Sequence, residues 1–206
     1  FRALWAQLGG SFGGMVMDGQ SRADSIELAR WASGPLGAEI RDINKFSNNV
    51  MARNLLLSLA AQRGGEPATT TAAVVRVMDW MAASGLDTGT VILQNGSGLS
   101  REERIPAATL AALLQRAWRQ PTMPEFVSAL PIAGIDGTMA RRFENSPLKG
   151  RAHIKTGSLD DVASIAGYVT ARSGKRIAVV CIINHPKAND ARAAFDALIS
   201  WAYENY

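Results

Sequence analysis

With 206 residues, 47% apolar and 19% charged, the chain can bury a core and has the composition of an ordinary globular protein. Its formal net charge of +4 comes from scattered residues without a Lys/Arg run. That argues against nucleic acid as a partner, because a phosphate-tracking face needs clustered cations.

FRALWAQLGG predicts a helix turning at Gly9-Gly10, and SFGGMVMDG a short strand weakened by Gly13 and Gly14. RWASGPLGAEIRDINKFSNN is expected to be an irregular approach to a long helix, SNNVMARNLLLSLAAQRGG, ended by Gly64-Gly65. TTTAAVVRVMDWMAASG predicts a second helix with a Thr cap, and PAATLAALLQRAWRQP a third with Pro106 near its first turn. A Pro/Gly-punctuated stretch follows from Met123 to Gly150.

The last third reads as three strands, RAHIKTG, VASIAGYVTA and KRIAVVCIIN, with a tight turn at Arg172 to Lys175. IAVVCII lacks polar alternation, which predicts a central strand covered on both faces. Its seven residues are too few to span a bilayer, and Cys181 within it reads as a small buried hydrophobe. A closing helix, NDARAAFDALISWAYENY, sets Ala193, Phe195, Leu198, Ile199 and Ala202 on one stripe. The expected class is α+β, a helix cluster packed on an antiparallel sheet. Tryptophans 5, 31, 80, 118 and 201 fall mostly on helical stripes and are expected in the core.

Three local features could carry chemistry. Ser47-Asn48-Asn49 opens the long helix, where Ser and Asn also serve as ordinary caps. Asn95-Gly96-Ser97-Gly98 is a turn sequence, followed by a Ser100 cap with Glu103 three residues on. Lys155-Thr156-Gly157 begins a strand and by itself reads as an edge protected by a charge. His153 shares the Lys155 face by strand alternation but reads as structural, and His185 as loop. Two histidines and one cysteine without ligand spacing argue against zinc.

Together, Ser-x-Asn and a distant Lys-Thr-Gly are two of the three signatures of penicillin-interacting serine enzymes. The chain resembles the C-terminal part of the class C low-molecular-mass penicillin-binding proteins, which are D-alanyl-D-alanine carboxypeptidases and endopeptidases. The resemblance runs nearly end to end, through SGPL (33–36), INKFSNNVMARNLL (43–56), NGSGLSR (95–101), LPIAGIDGTMARR (130–142), HIKTGSLDDVASIAGYV (153–169) and IIN (182–184). It implies a penicillin-binding/serine β-lactamase-like transpeptidase fold, incomplete at its N-terminal side, with residues 1–206 as the C-terminal portion of the catalytic domain.

The resemblance also implies roles. Ser47 would relay a proton between nucleophile, lysine and leaving amine, and the Asn49 amide would bind a substrate amide. Lys155 and Thr156 would hold the terminal carboxylate of a peptidoglycan stem peptide ending in D-Ala-D-Ala. Gly157 would leave room for substrate along the strand edge, and the Ser158 N–H would be one oxyanion donor, the nucleophile's own N–H the other. Asp136-Gly137-Thr138 resembles a family loop near the site, without an assigned role.

The third signature, Ser-x-x-Lys, needs one helical turn so that serine and lysine project to one side. Ser146-Pro147-Leu148-Lys149 is the one such string, and its place just before the Lys155 strand marks it as a decoy. The chain is therefore expected to lack the acylating serine, to be inactive alone, and to be a piece of a longer periplasmic or exported protein inhibited by β-lactams. Its opening at Phe1 without an initiator Met fits that expectation. No cofactor is implied. The alternatives are a serine β-lactamase-like hydrolase and a non-catalytic module that binds peptidoglycan peptides.

Overall fold

The computed structural model describes residues 1–20, 22–62 and 68–206, which form two compact units, Phe1–Ala32 and Ser33–Tyr206. In the first unit, α1 (Arg2–Gln7) gives way to Gly9 at φ 86°. The Phe1 and Trp5 rings stack 5.7 Å apart, and Trp5 Nε1 donates to the Ser11 carbonyl at 3.0 Å. The strand expected in SFGGMVMDG does not form. Two glycines weaken it, and a lone strand has no ladder to satisfy its backbone. Met15, Val16 and Met17 stay exposed.

The second unit is α+β, as expected. Its helices are α2 (Leu36–Phe46), α3 (Asn49–Ala61), α4 (Thr70–Ala83), α5 (Ala107–Trp118), α6 (Met123–Ala129) and α7 (Arg192–Asn205). The Asn48 side chain caps α3 by accepting from Met51 N–H at 3.1 Å, and Thr69 caps α4 through Ala72 N–H at 3.2 Å. The predicted stop of α3 at Gly64-Gly65 lies outside the described residues. Two stretches read as irregular hold helices, α2 and α6. In α2 Leu36, Ile40 and Ile43 recur at helical spacing, so the periodic signal was present, and the inward face also takes in Asn44 and a buried Lys45.

Strands β1 (Ala152–Leu159), β2 (Val162–Thr170) and β3 (Arg176–Asn184) form an antiparallel sheet in the order β1-β2-β3. Gly157 pairs with Ser164, and Ser164 with Ile182. The run IAVVCII is thus an outer strand of the described sheet, and β2 is central. Its two apolar faces are nevertheless both covered. On one face Val179, Cys181, Ile154, Ile165 and Val169 pack with Phe195, Ile199 and Ala202 of α7. On the other, Ala178, Val180 and Tyr168 pack with Leu114 and Trp118 of α5 and Phe126 of α6. The expectation of two covered faces holds, and the central position does not.

Two core expectations fail. Ala193 is exposed at the start of α7. Among the tryptophans, Trp118 joins the core, whereas Trp5, Trp31, Trp80 and Trp201 are 44% to 95% exposed. An indole on a helix covers a neighbour only where one lies opposite, and helical spacing alone does not provide one. No helix among the described residues is long and apolar enough to cross a membrane.

Candidate active site

Ser47 lies at the junction of two helices. It is the C-cap of α2, in left-handed backbone at φ 54° and ψ 46°, and Asn48 then caps α3. A non-glycine residue held there stores about 1–2 kcal/mol of strain, and such positions cluster at functional sites. The sharp junction lets Ser47 leave α2 while Asn49 begins α3. The capping interpretation therefore holds for Asn48, while the side chains of Ser47 and Asn49 bond elsewhere.

The Ser47 hydroxyl accepts a hydrogen bond from Lys155 Nζ at 2.5 Å, across 108 residues of sequence. Lys155 Nζ also donates to the Thr156 carbonyl at 2.7 Å. Burial holds the Lys155 ammonium below the usual lysine value. Asn49 Nδ2 donates to the Ser97 carbonyl at 2.6 Å, which draws the NGSG turn to the same place. Arg101, in that segment, donates to the Asp160 carbonyl at the β1–β2 turn. All three segments singled out in the sequence converge.

β1 presents an open edge here. Ile154 N–H donates outward to the Pro131 carbonyl at 2.8 Å, and Ala133 N–H reaches the Ala152 carbonyl at 2.9 Å. Because alternate residues of a strand direct their polar groups to the same side, Thr156 and Ser158 point outward too. No strand of the described residues pairs with them. Successive side chains alternate, so Lys155 and Thr156 leave β1 on opposite faces with the open edge between them.

The Thr156 hydroxyl bonds Thr138 Oγ1 at 3.0 Å. It borders a cleft of about 400 Å³ that Arg141, Arg142 and Arg192 also line. Arg142 is neutralised by Asp196 (Nε to Oδ1 2.9 Å). On the Lys155 face, a groove of about 700 Å³ runs past Gly157 and Ser164 to Arg101 and Asn184. A Cβ on Gly157 would stand 2.6 Å from Ser164 Oγ, so the glycine makes room for that hydroxyl. The Ser158 side chain turns away and donates to Asn189 Oδ1 at 2.5 Å.

Ser146 and Lys149 lie in a turn, with the Ser146 hydroxyl accepting from Leu148 N–H at 3.2 Å. They do not form the helical pair that acylation needs. His153 is structural: its Nδ1 meets the Val127 carbonyl at 3.1 Å, and burial lowers its pKa. Lys45 was missed in the sequence, and Asp136, in the family-like loop, had no role assigned there. Lys45 is buried and bonds both oxygens of Asp136, at 2.8 and 2.7 Å. A lysine on an amphipathic helix signals solvent, and nothing in the sequence marks a partner 91 residues away.

Residues 1–205 match the D-Ala-D-Ala carboxypeptidase 3 (S13) family. The chain belongs to that family. Family relatives include the D-alanyl-D-alanine carboxypeptidase DacB of Haemophilus influenzae, 31% identical over 89% of this chain and 39% of that protein. The carboxypeptidase DacB of Mycolicibacterium smegmatis is 33% identical over 96% of this chain and 44% of its own. Penicillin binding protein 4 of H. influenzae, solved in complex with a β-lactam, superposes with a TM-score of 0.80 at 28% identity, covering 98% of this chain and 49% of that one. This S13 chain therefore has the penicillin-binding fold, and it spans less than half the length of these relatives.

Proposed function

We propose that this chain is the C-terminal, motif-bearing portion of a serine-type D-alanyl-D-alanine carboxypeptidase/endopeptidase acting on peptidoglycan stem peptides. The observation that carries the reading is the Ser47–Lys155 hydrogen bond beside the open edge of β1. A peptide laid along that edge would pair with the outward groups of Thr156 and Ser158, a strand-addition mode of binding. The Ser158 N–H would then serve as one oxyanion donor. The substrate's terminal carboxylate would sit between the Lys155 ammonium and the Thr156 hydroxyl, within the field of Arg141 and Arg192.

Lys155, with its lowered pKa, and Ser47 form a short path for the proton that must reach the leaving amine. Asn49, tied to the Ser97 carbonyl through its nitrogen, keeps its oxygen for a substrate N–H. The acylating serine and its lysine lie in a part of the protein beyond this chain, a reading supported by the share of the relatives that the chain spans. A substrate in the cell wall makes the protein periplasmic or exported, and β-lactams would inhibit the complete enzyme.

The test is labelling with a fluorescent penicillin and hydrolysis of a D-Ala-D-Ala peptide. The complete protein should do both, the chain produced alone neither, and Lys155→Ala in the complete protein should abolish both. Full labelling of the Lys155→Ala protein would refute the proposed site.

A further inference from the structure

Lys45 and Asp136 make a bond that the reading above does not use. The Lys45 side chain is 3% exposed and its ammonium is fully engaged, by the Leu130 carbonyl at 2.7 Å and both Asp136 oxygens. Asp136 Oδ1 also accepts from Ile132 N–H at 2.8 Å, so the carboxylate is fastened to its own loop.

That loop is the frame on which both halves of the site are hung. On the helix side, Lys45 lies two residues before Ser47, in the last turn of α2. Gly137 packs so closely there that a Cβ would stand 2.8 Å from the Lys45 carbonyl. On the strand side, the Pro131 carbonyl takes Ile154 N–H, and Thr138 holds the Thr156 hydroxyl at 3.0 Å. Ser47 and Lys155 come from segments far apart in the chain, and residues 130–138 touch both.

We infer that the Lys45–Asp136 pair is a positioning clasp that sets the register of Ser47 against Lys155. The inference rests on the functional reading above for the meaning of that register, and on the Lys45, Asp136 and Ile132 hydrogen bonds for the clasp itself. A buried ion pair is a poor device for stability, since well-packed apolar groups of similar shape serve as well or better. Its directional bonds allow one arrangement of helix and loop, which an apolar contact does not enforce.

The test is the double variant Lys45→Met/Asp136→Asn in the complete protein. Met keeps the stem of the lysine, and Asn keeps an oxygen for Ile132 N–H. Both charges go together, so none is left buried and unpaired. The clasp predicts an unchanged melting temperature and a roughly tenfold to hundredfold fall in penicillin acylation rate, with KM for a D-Ala-D-Ala peptide nearly constant. It also predicts that the Lys155 ammonium, followed by NMR, titrates closer to an ordinary lysine in the double variant than in wild type. Wild-type acylation together with a wild-type Lys155 titration in a folded double variant would overturn it. If the wild-type protein is not acylated at all, the functional reading fails, and the Lys155 titration still decides the clasp. Should the double variant fail to fold, the pair is a stability element and the inference is wrong.

Discussion

The Ser47 hydroxyl receives the Lys155 ammonium from a left-handed backbone, so strain and contact coincide in one residue. The two can be separated. Ser47→Gly relieves the strain while losing the side chain, and its unfolding free energy should stay within about 1 kcal/mol of wild type. Ser47→Ala keeps the strain and strips Lys155 of an acceptor, at a cost of about 1–3 kcal/mol. Urea unfolding should therefore rank Gly above Ala. Neither variant of the complete protein should be acylated by penicillin at the wild-type rate, and the reverse stability order would show that the backbone there is not strained.

Lys155 also predicts a pH dependence. Burial lowers its pKa below 10.5 in the folded protein. Between that lowered value and 10.5 the unfolded chain binds the extra proton, so stability rises with pH across this window. Below it the group is charged in both states and the burial penalty stands in full. Lys155→Met removes the penalty, so its stability advantage over wild type should shrink as pH climbs from 7 toward 10. An advantage independent of pH would mean that Lys155 titrates as an exposed lysine.

Much of this molecule was legible in its sequence because local chemistry and fold agree. The strands around the Lys155 triplet, the Thr69 cap and the Gly174 turn follow from residue types that tolerate few alternatives. What escaped was what depends on partners far away. Helix α2 carries Leu36, Ile40 and Ile43 at helical spacing and was legible; the burial of its Lys45 was not, because a buried lysine is intelligible only beside Asp136. The run in β3 correctly indicated two covered faces, but face burial and position in a sheet are independent, and α5 and α7 cover an outer strand. The resemblance to the penicillin-binding family named Ser47 and Lys155 together. It did not reveal that residues 130–138 touch the neighbours of both, Lys45 on one side and Ile154 and Thr156 on the other.

His153 should make the protein less stable in mild acid. Burial lowers its pKa below 6.5, outweighing the Nδ1 bond to the Val127 carbonyl, which favours the charged ring. Asp136 on the neighbouring loop also favours the charged ring, and Lys45 and Arg176 oppose it. The unfolded histidine takes a proton near 6.5 while the folded one resists, so stability falls as pH drops below that value. His153→Asn keeps a donor for Val127 and does not titrate. Its unfolding midpoint, compared with wild type at pH 7.5 and pH 5, should fall less, and equal losses would place the acid sensitivity elsewhere.

Gly157 offers a test of the strand edge that separates packing from binding. A methyl at this position would meet Ser164 Oγ at 2.6 Å, with the Ser164 Cβ at 4.0 Å as the next contact. Gly157→Ala should therefore turn the Ser164 hydroxyl to another rotamer at a cost of about 1 kcal/mol or less, and Ser164→Ala in the same chain should recover it. Crowding is then gone, yet the added methyl still projects from β1 into the groove beside Lys155. If substrate lies along this strand, the double variant of the complete protein should be stable but slow to acylate. Recovery of both stability and acylation would mean that the groove face of Gly157 is not approached by substrate, and that the glycine serves only the packing of Ser164.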